Sequence, residues 1–486
     1  MNFFYKPAPG FLGDAIPYYF DERYHIFYLR AYRDAETYGT GAWDHVSTID
    51  FVNFEEHGEA LSHGAVDEQD MHPATGAVFT DDSGRHHIFY TGINSYFRND
   101  SQRQQAVLHA TSNDLDTWTK VPDEVWYADE SIYERHDWRD PFVYKHPETE
   151  RYNMLVTART KDGPMFRRGC TGLMTSDDLR HWKAEAPFYA PSRYYGHECP
   201  DLFQMGEWYY LVFSEYTTHT ATRYVMSRSI DGPWTAPKNN QFDNQAFYAA
   251  KTAGDGKRRF VLGWNGTKSG SADDGDWQWG GCLTVHEVLQ NDDGTLSVRM
   301  PTEAQGAFGD PAPVRLEVSD TGWRHEAASY GVESPYAYSA VLSEKMPDTY
   351  LLEGKLKFER DAGEAGVLLG VHGQGDAGYF LRFNLDGQAL QFGKIGGYRS
   401  VLSLPFPNCY VDHMPELDRP LEIRLGVPLH FRVIVDKSAI VAYVDDRVAL
   451  SGRMYATPFG GCGLFADGSA VSVTDLTSRS IRQSQR

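Results

Sequence analysis

The sequence predicts an all-β chain: a five-bladed β-propeller followed by a C-terminal antiparallel β-sandwich. Three observations carry that expectation. Strand-like hairpins recur five times in the first 300 residues, a second motif is interleaved with them, and the texture changes to plain alternation after Met300. Repeat architectures show themselves as self-similarity at a fixed spacing.

The hairpin repeat comes first. Extended runs begin at Tyr24, His86, Arg151, Glu207 and Arg258, each preceded by another extended segment and a turn containing Asp, Gly or Glu. Strand, polar turn and strand together read as a hairpin. Anchored on Phe27, Phe89, Leu155, Leu211 and Val261, the runs step by 62, 66, 56 and 50 residues. The interleaved motif is an Asp followed by a turn and an aromatic ring. It falls at Asp50, Asp114, Asp178 and Asp231, in steps of 64, 64 and 53. There the carboxylate is expected to cap a turn at a sheet edge. Five units of this length, rich in strand formers, fit the four-stranded blades of a propeller spanning residues 1–300. Residues 301–322, rich in Pro, Gly and Ala, read as a linker. Residues 323–486 alternate with period two between turn signals, as a sandwich domain does.

Charge and composition exclude several classes. A net charge of −21 does not suit a nucleic-acid partner, which needs clustered Lys and Arg. With 27 Phe, 30 Tyr and 11 Trp the chain is not a disordered one. No apolar run reaches the roughly 20 residues of a membrane span, and the first residues show no secretory leader pattern. Cysteines at 170, 199, 282, 409 and 462 form no CxxC pair. They read as reduced thiols of a cytoplasmic protein, with neither a disulfide frame nor a metal or other cofactor implied. The sandwich could offer an edge to a second copy in a homodimer.

In a propeller the innermost strands converge on one mouth of the channel. The acids just before those strands are Asp14, Asp140 and Glu198, in the first, third and fourth units; the second and fifth carry Gly76 and Tyr248 at the matching places. Three carboxylates converging on one pocket suit glycoside hydrolysis, in which two carboxyl groups flank the scissile bond. Arg139 is placed to hold Asp140 ionised or to grip a sugar hydroxyl. His45, His72 and His197 lie near the expected mouth. Among Trp43, Trp126, Trp138, Trp264, Trp277 and Trp279, any of which could stack on a sugar, Trp43 is the first choice. The acidic run at Asp273, Asp274 and Asp276 reads as a solvated loop, and Cys199 as a small packing residue.

With Asp14 and its surroundings, Trp138-Arg-Asp-Pro, Glu198-Cys-Pro-Asp and the segment from Phe431 to Asp446, the chain resembles glycoside hydrolase family 32, close to family 43, over nearly its whole length. That resemblance implies Asp14 as nucleophile, Asp140 as transition-state stabiliser and Glu198 as acid/base. It also implies a retaining hydrolase of β-fructofuranosides, able in some members to transfer the sugar, with no cofactor. The substrate is an oligosaccharide or small furanoside.

The first motif departs from the family pattern. It reads Phe11-Leu-Gly-Asp-Ala-Ile-Pro, with Gly13 and Ile16 where the family carries asparagines; Leu29 replaces a glutamine, residues 73–76 replace a Phe-Ser-Gly-Ser run, and His197 stands where Trp or Tyr is common. The expected sugar contacts are therefore Arg139, Trp43, His72, His197 and Leu29. The altered shell points toward a related furanoside such as a β-arabinofuranoside, which lacks one hydroxymethyl group. Two alternatives stay open: an arabinofuranosidase of the family 43 type, and a non-catalytic carbohydrate-binding protein on the same scaffold.

Overall fold

Each recurring hairpin becomes the inner half of a small antiparallel meander. The structure, a computed structural model, describes residues 3–33, 41–97, 102–319, 321–396, 414–456 and 460–482. Strands β1 (Phe11–Phe20), β2 (Arg23–Ala31), β3 (Trp43–Thr48) and β4 (Glu55–Leu61) form the first meander. The second contains β5 (His72–Thr80), β6 (His86–Ile93), β7 (Gln105–Ser112) and β8 (Thr119–Trp126). Next come β9 (Tyr133–Lys145), β10 (Tyr152–Thr160), β11 (Gly169–Ser176) and β12 (Lys183–Tyr189). A three-stranded sheet follows, from β13 (Glu198–Met205), β14 (Trp208–Glu215) and β15 (Ala221–Ser227). Finally β16 (Phe247–Gly254), β17 (Arg259–Lys268) and β18 (Trp277–Gln290) pair in order, and β18 bridges back to β1 at Leu12 and Gly281. The first and last meanders thus share one sheet, which ties the beginning of the chain to residues almost 270 positions later.

The anchors that revealed the repeat are the core of these sheets. Phe27, Phe89, Leu155, Leu211 and Val261 lie on the second strand of each hairpin and are all 0 % exposed. The Asp motif sits in the turn after the third strand, as expected. Asp50 Oδ1 accepts the backbone N–H groups of Val52 and Asn53, Asp114 those of Asp116 and Thr117, and Asp178 those of Arg180 and His181. A hydroxyl two residues earlier caps the same turn: Thr48, Ser112, Ser176 and Ser229 accept from the N–H of Asp50, Asp114, Asp178 and Asp231. The residue after each Asp is left-handed, at Phe51, Leu115, Leu179 and Gly232. Only the last is the residue type for which that conformation carries no steric cost.

Histidines repeat as well. His45 stacks on Phe27 with ring centroids 4.2 Å apart and hydrogen-bonds His25 at 3.0 Å. In the next sheet His109 stacks on Phe89 at 4.5 Å and hydrogen-bonds His87 at 2.8 Å. The two ladders occupy matching places, and each ends on a carboxylate, Asp116 or Glu124.

The chain divides into two compact units, Met1–Gly266 with Trp279–Leu296, and Thr267–Gln278 with Ser297–Arg486. The second unit is built on a thirteen-stranded antiparallel sheet. Its hub is the strand Gly461–Ser480, which pairs with Ser329–Lys345, Thr349–Phe358 and Glu364–His372. Leu351, Val367, Phe380, Phe431 and Val441 are buried in it. Residues expected to form a linker carry structure of their own: a helix at Thr302–Gly306, and Ala312–Pro313 paired with Ser478 and Thr477. Asp273, expected in a solvated loop, is instead an anchor. Its carboxylate accepts from the Tyr379 hydroxyl at 2.7 Å and from the N–H groups of Tyr455 and Ala456. Cys170, Cys199, Cys282 and Cys462 are buried and form no disulfide, while Cys409 lies outside the described residues. Among the described residues no helix is long and apolar enough to cross a membrane.

Candidate active site

Every inner strand is bulged at the same place. Between paired positions, β1 inserts one residue more than β2 around Gly13 and Asp14, and β5 does so at Thr75. The register slips likewise at Asp140 and Pro141 of β9, at Cys199 and Pro200 of β13, and at Ala249 and Ala250 of β16. A bulge breaks the two-residue alternation and re-aims a side chain. Asp140, Cys199 and Ala249 hold positive φ values of 55°, 51° and 51° there. Non-glycine residues rarely adopt that conformation, and surrounding contacts must hold it. Five bulges thus set Asp14, Thr75, Asp140, Glu198 and Tyr248 apart from the ordinary strand pattern.

These side chains meet. Asp14 Oδ2 accepts from Thr75 Oγ1 at 2.5 Å, and Oδ1 accepts from the Trp264 indole N–H at 3.0 Å. Asp140 Oδ2 accepts from Thr157 Oγ1 at 2.9 Å and from the Cys199 N–H at 3.0 Å. The Cys199 thiol lies 3.9 Å from Asp14 Oδ2, so one residue touches both aspartates. Glu198 Oε1 accepts from Arg139 Nη2 at 2.8 Å, and Oε2 from the Tyr248 hydroxyl at 2.6 Å. Arg139 also lies 3.8 Å from Asp140 and donates to Asp137 at 2.7 Å.

The electrostatics follow from three acids and one guanidinium in a dry place. Burial pushes Asp14 up to about 7; Thr75 and Trp264 oppose that by hydrogen-bonding the charged form, while Asp140 and Glu198 reinforce it by repulsion. Asp140 is raised by burial and by Glu198, and held back by Arg139. Burial alone would lower Arg139, but Glu198, Asp140 and Asp137 hold it well above its usual value, so it stays a fixed cation. Burial, then Glu198, carries the Tyr248 hydroxyl far above the ordinary phenol range, which keeps it a donor. Carboxyls gathered in this way can supply a nucleophile, a proton donor and a stabiliser of positive charge.

The remaining sequence-predicted contacts divide. Arg139 is part of the cluster. His72 is partly buried at the start of β5, its ring 6.0 Å from that of His63, and burial together with His63 lowers its pKa. Three others are core residues. Trp43 is 0 % exposed with its indole N–H on the Ala74 carbonyl, and Leu29 is 3 % exposed. His197 is 0 % exposed, stacked 4.2 Å from Phe213, and burial brings it down to about 3. None of the three offers a surface to a ligand, which corrects the expectation of sugar contact. Successive residues of a strand face opposite ways, so His197 goes inward where Glu198 goes to the site. Sequence reasoning also passed over Thr75, Trp264 and Tyr248 as hydrogen-bond partners of the acids. The signal for one of them lay in the repeat itself: Tyr248 stands at the fifth unit's inner-strand place, which carries no carboxylate.

One further group deserves a metal's consideration. His45, His57 and Asp116 bring donor atoms within 4.8 Å of one another. The two imidazoles are stacked 4.2 Å apart with planes 17° from parallel. In-plane lone pairs of parallel rings cannot both aim at an ion between them, so the group does not fit tetrahedral ligation. It is the end of the histidine ladder described above.

Clustered carboxyls on the first strands of these sheets suit glycoside hydrolysis, in which two carboxyl groups flank the scissile bond. The chain belongs to glycosyl hydrolases family 32: the N-terminal domain of that family matches residues 5–300 and its C-terminal domain residues 347–480. It is a glycoside hydrolase acting on O-glycosyl bonds. Similar proteins include a sucrose-6-phosphate hydrolase of Escherichia coli, 26% identical over 94% of this chain and 89% of that one. A raffinose invertase of Escherichia coli is also 26% identical, over 93% and 89%. Among solved structures, exo-inulinase from Aspergillus awamori aligns with a TM-score of 0.73 at 15% identity, covering 99% of this chain and 98% of that one. A Bombyx mori family 32 β-fructofuranosidase aligns at 0.70 and 17%, covering 98% and 93%. These likenesses fix the fold as a β-propeller plus a β-sandwich.

Proposed function

We propose that the protein is a retaining exo-acting hydrolase of terminal β-furanosides, working on a five-bladed propeller of residues 1–300 with a sandwich of residues 323–486. The observation that carries this reading is the joined cluster of Asp14, Asp140 and Glu198 around Arg139 and Cys199. In the first step Asp14 attacks the anomeric carbon and the bond to the leaving oxygen breaks, with Glu198 giving that oxygen a proton. Asp140 accepts hydrogen bonds from ring hydroxyls and faces the oxocarbenium-like charge. In the second step water attacks the same carbon, Glu198 takes its proton, and Asp14 leaves as carboxylate; two inversions give retention. Thr75 and Trp264 hold Asp14 in place, and Arg139 and Tyr248 orient Glu198.

The named activities of the relatives favour a fructofuranoside. Gly13, which replaces a polar residue of the family pattern beside Asp14, favours a β-arabinofuranoside as the second reading. Buried cysteines that form no disulfide among the described residues fit a cytoplasmic enzyme. The test is to follow aryl β-fructofuranoside and aryl β-arabinofuranoside hydrolysis while trapping the intermediate. Mass spectrometry should find one glycosyl unit on the peptide that contains Asp14. An inverted first product by NMR, with no covalent adduct, would refute the double displacement.

A further inference from the structure

Aromatic rings gather in the open beside Glu198. Phe166 is 65 % exposed and Tyr216 38 % exposed. The half-buried Tyr195 joins them, its ring centroid 6.1 Å from that of Phe166 and 5.4 Å from that of Tyr216. A contiguous group of exposed rings marks an interaction site, where a single one needs no explanation. Each ring comes from a different connection: Phe166 from the turn Met165–Arg167 between β10 and β11, Tyr195 from the run into β13, and Tyr216 from the residue after β14. The connections are pinned together. Arg159 donates to the Met165 carbonyl, and its guanidinium lies 4.2 Å over the Tyr195 ring. Arg167 donates to the Arg193 carbonyl, and the Tyr195 N–H donates to the Thr217 hydroxyl at 3.0 Å. A β-carbon at Gly169 would stand 2.6 Å from the Gly196 nitrogen, so glycine is what lets the run into β13 cross there.

This ledge adjoins the acid cluster on the side of Glu198. A β-carbon at Gly196 would find the Tyr216 hydroxyl at 3.7 Å and Arg139 Nη2 at 4.0 Å, so the phenol and the guanidinium that holds Glu198 flank one point. Burial, then the charge of Glu198, raises the Tyr216 phenol above its usual range while Arg139 opposes, which keeps the hydroxyl a donor. Among the described residues neither that hydroxyl nor the one on Tyr195 has a hydrogen-bond partner. The inner strands touch in the order β1, β5, β9, β13, β16, and β16 touches β1. Asp14 on β1 takes its donors from the sheets on either side, Thr75 of β5 and Trp264 of β17. Glu198 and the ledge belong to the two sheets farthest round from it, those of β9 and β13. In each displacement the attacking and leaving groups stand on opposite faces of the anomeric carbon. A leaving oxygen protonated by Glu198 therefore lies away from Asp14, and the group attached to it extends toward the ledge.

We propose that Phe166, Tyr195 and Tyr216 bind the leaving group, that this group is a sugar ring, and that the ledge thereby directs the enzyme to di- and oligosaccharides over simple alkyl furanosides. This rests on Glu198 being the acid/base of the proposed function. The surface matches a sugar on two counts. The C–H face of a sugar ring sheds water against an aromatic face. Its rim of hydroxyls needs partners once it is covered, and the Tyr195 and Tyr216 hydroxyls stand at the edges of the rings to supply them. A purely apolar ligand would leave those hydroxyls unpaired, and a methyl group is too small to reach the ledge.

The experiment compares kcat/KM for sucrose and methyl β-fructofuranoside, which release the same fructosyl group from different leaving groups. It uses the full-length wild type, Phe166→Ala, Tyr216→Ala and Tyr216→Phe, with the thermal midpoint as a check on folding. Dividing each variant by the wild type removes the intrinsic reactivity of either bond. The sucrose value should fall relative to the methyl furanoside by about tenfold in Phe166→Ala and in Tyr216→Ala, chiefly through KM, as loss of binding does. Tyr216→Phe keeps the ring and should lose only about two- to fivefold. A ratio unmoved in all three variants would overturn the ledge and leave the proposed hydrolase intact. Equal losses on both substrates would also overturn it, because they would mean a disturbed Glu198 with no contact to the leaving sugar. Cleavage of neither substrate by the wild type would overturn the reading of the site on which the ledge rests.

Discussion

Replacing Thr75 by valine removes one hydroxyl from Asp14 and almost nothing else, since the two side chains are isosteric and Thr75 is 1 % exposed. The hydroxyl donates to Asp14 Oδ2 at 2.5 Å and is the largest influence lowering that acid, which burial has raised to about 7. A hydrogen bond to a charged group contributes about 1.5–3 kcal/mol, and each pKa unit is about 1.4 kcal/mol. Thr75→Val should therefore move Asp14 up by about one to two units. The sign is fixed by the role: a nucleophile attacks as carboxylate, so activity appears as pH rises through its pKa, and raising that pKa delays the rise. The assay is kcat/KM against pH, whose acidic limb reports the free enzyme's essential base. Activity at pH 6 should fall by about ten- to a hundredfold, with most of it recovered at alkaline pH. Trp264→Phe, which removes the other donor, should shift the limb the same way. A uniform loss at every pH with the limb unmoved would show that Asp14 is not the group whose ionisation gates the reaction.

Other outcomes follow from the same contacts. Glu198→Gln should depress hydrolysis of alkyl furanosides by about 10²–10⁴-fold, yet spare the first turnover of substrates with acidic leaving groups, as a burst assay with nitrophenyl furanosides would show. Leu155→Ala, at a position 0 % exposed in the core under Tyr194 and Phe213, should cost about 2–5 kcal/mol in denaturant unfolding, with the slope m unchanged. Burial lowers His25 to about 4, His109 and His197 to about 3 and His45 to about 2. Being depressed below the unfolded value near 6.5, they stabilise the fold fully above that pH and lose the contribution as pH falls toward 4, at up to about 1.4 kcal/mol per pH unit for each. A thermal midpoint that stays flat between pH 7 and pH 5 would contradict the neutral ladder.

What the sequence could disclose depended on how each feature is encoded. Strand hairpins bury a large apolar residue at a fixed place, so Phe27, Phe89, Leu155, Leu211 and Val261 stand out as spacings without any knowledge of contacts. Carboxylates on inner strands are equally visible, because an acid is uncommon where a strand enters a core. The partners of those acids are not visible in this way. A threonine, tyrosine or tryptophan in a strand is ordinary, and nothing local separates Thr75 or Trp264 from dozens of others. The error at His197 has a clear cause: in a strand the neighbour of a site residue faces away from it, and only the bulge position says which of two neighbours turns inward; Trp43 and Leu29 lie on the second and third strands, inside the packed core. A bulge is a property of the pairing between two strands, set by register against the partner, and one strand read alone does not contain it. The closeness of Gly13 to Trp279, whose benzo edge takes the room that a β-carbon at position 13 would need, is further still from sequence, since it depends on the bridge from β18 to β1 that joins the two ends of the first unit. Once that bridge is known the glycine acquires a cause, and a residue that looked like the loss of a polar group becomes the room made for a ring.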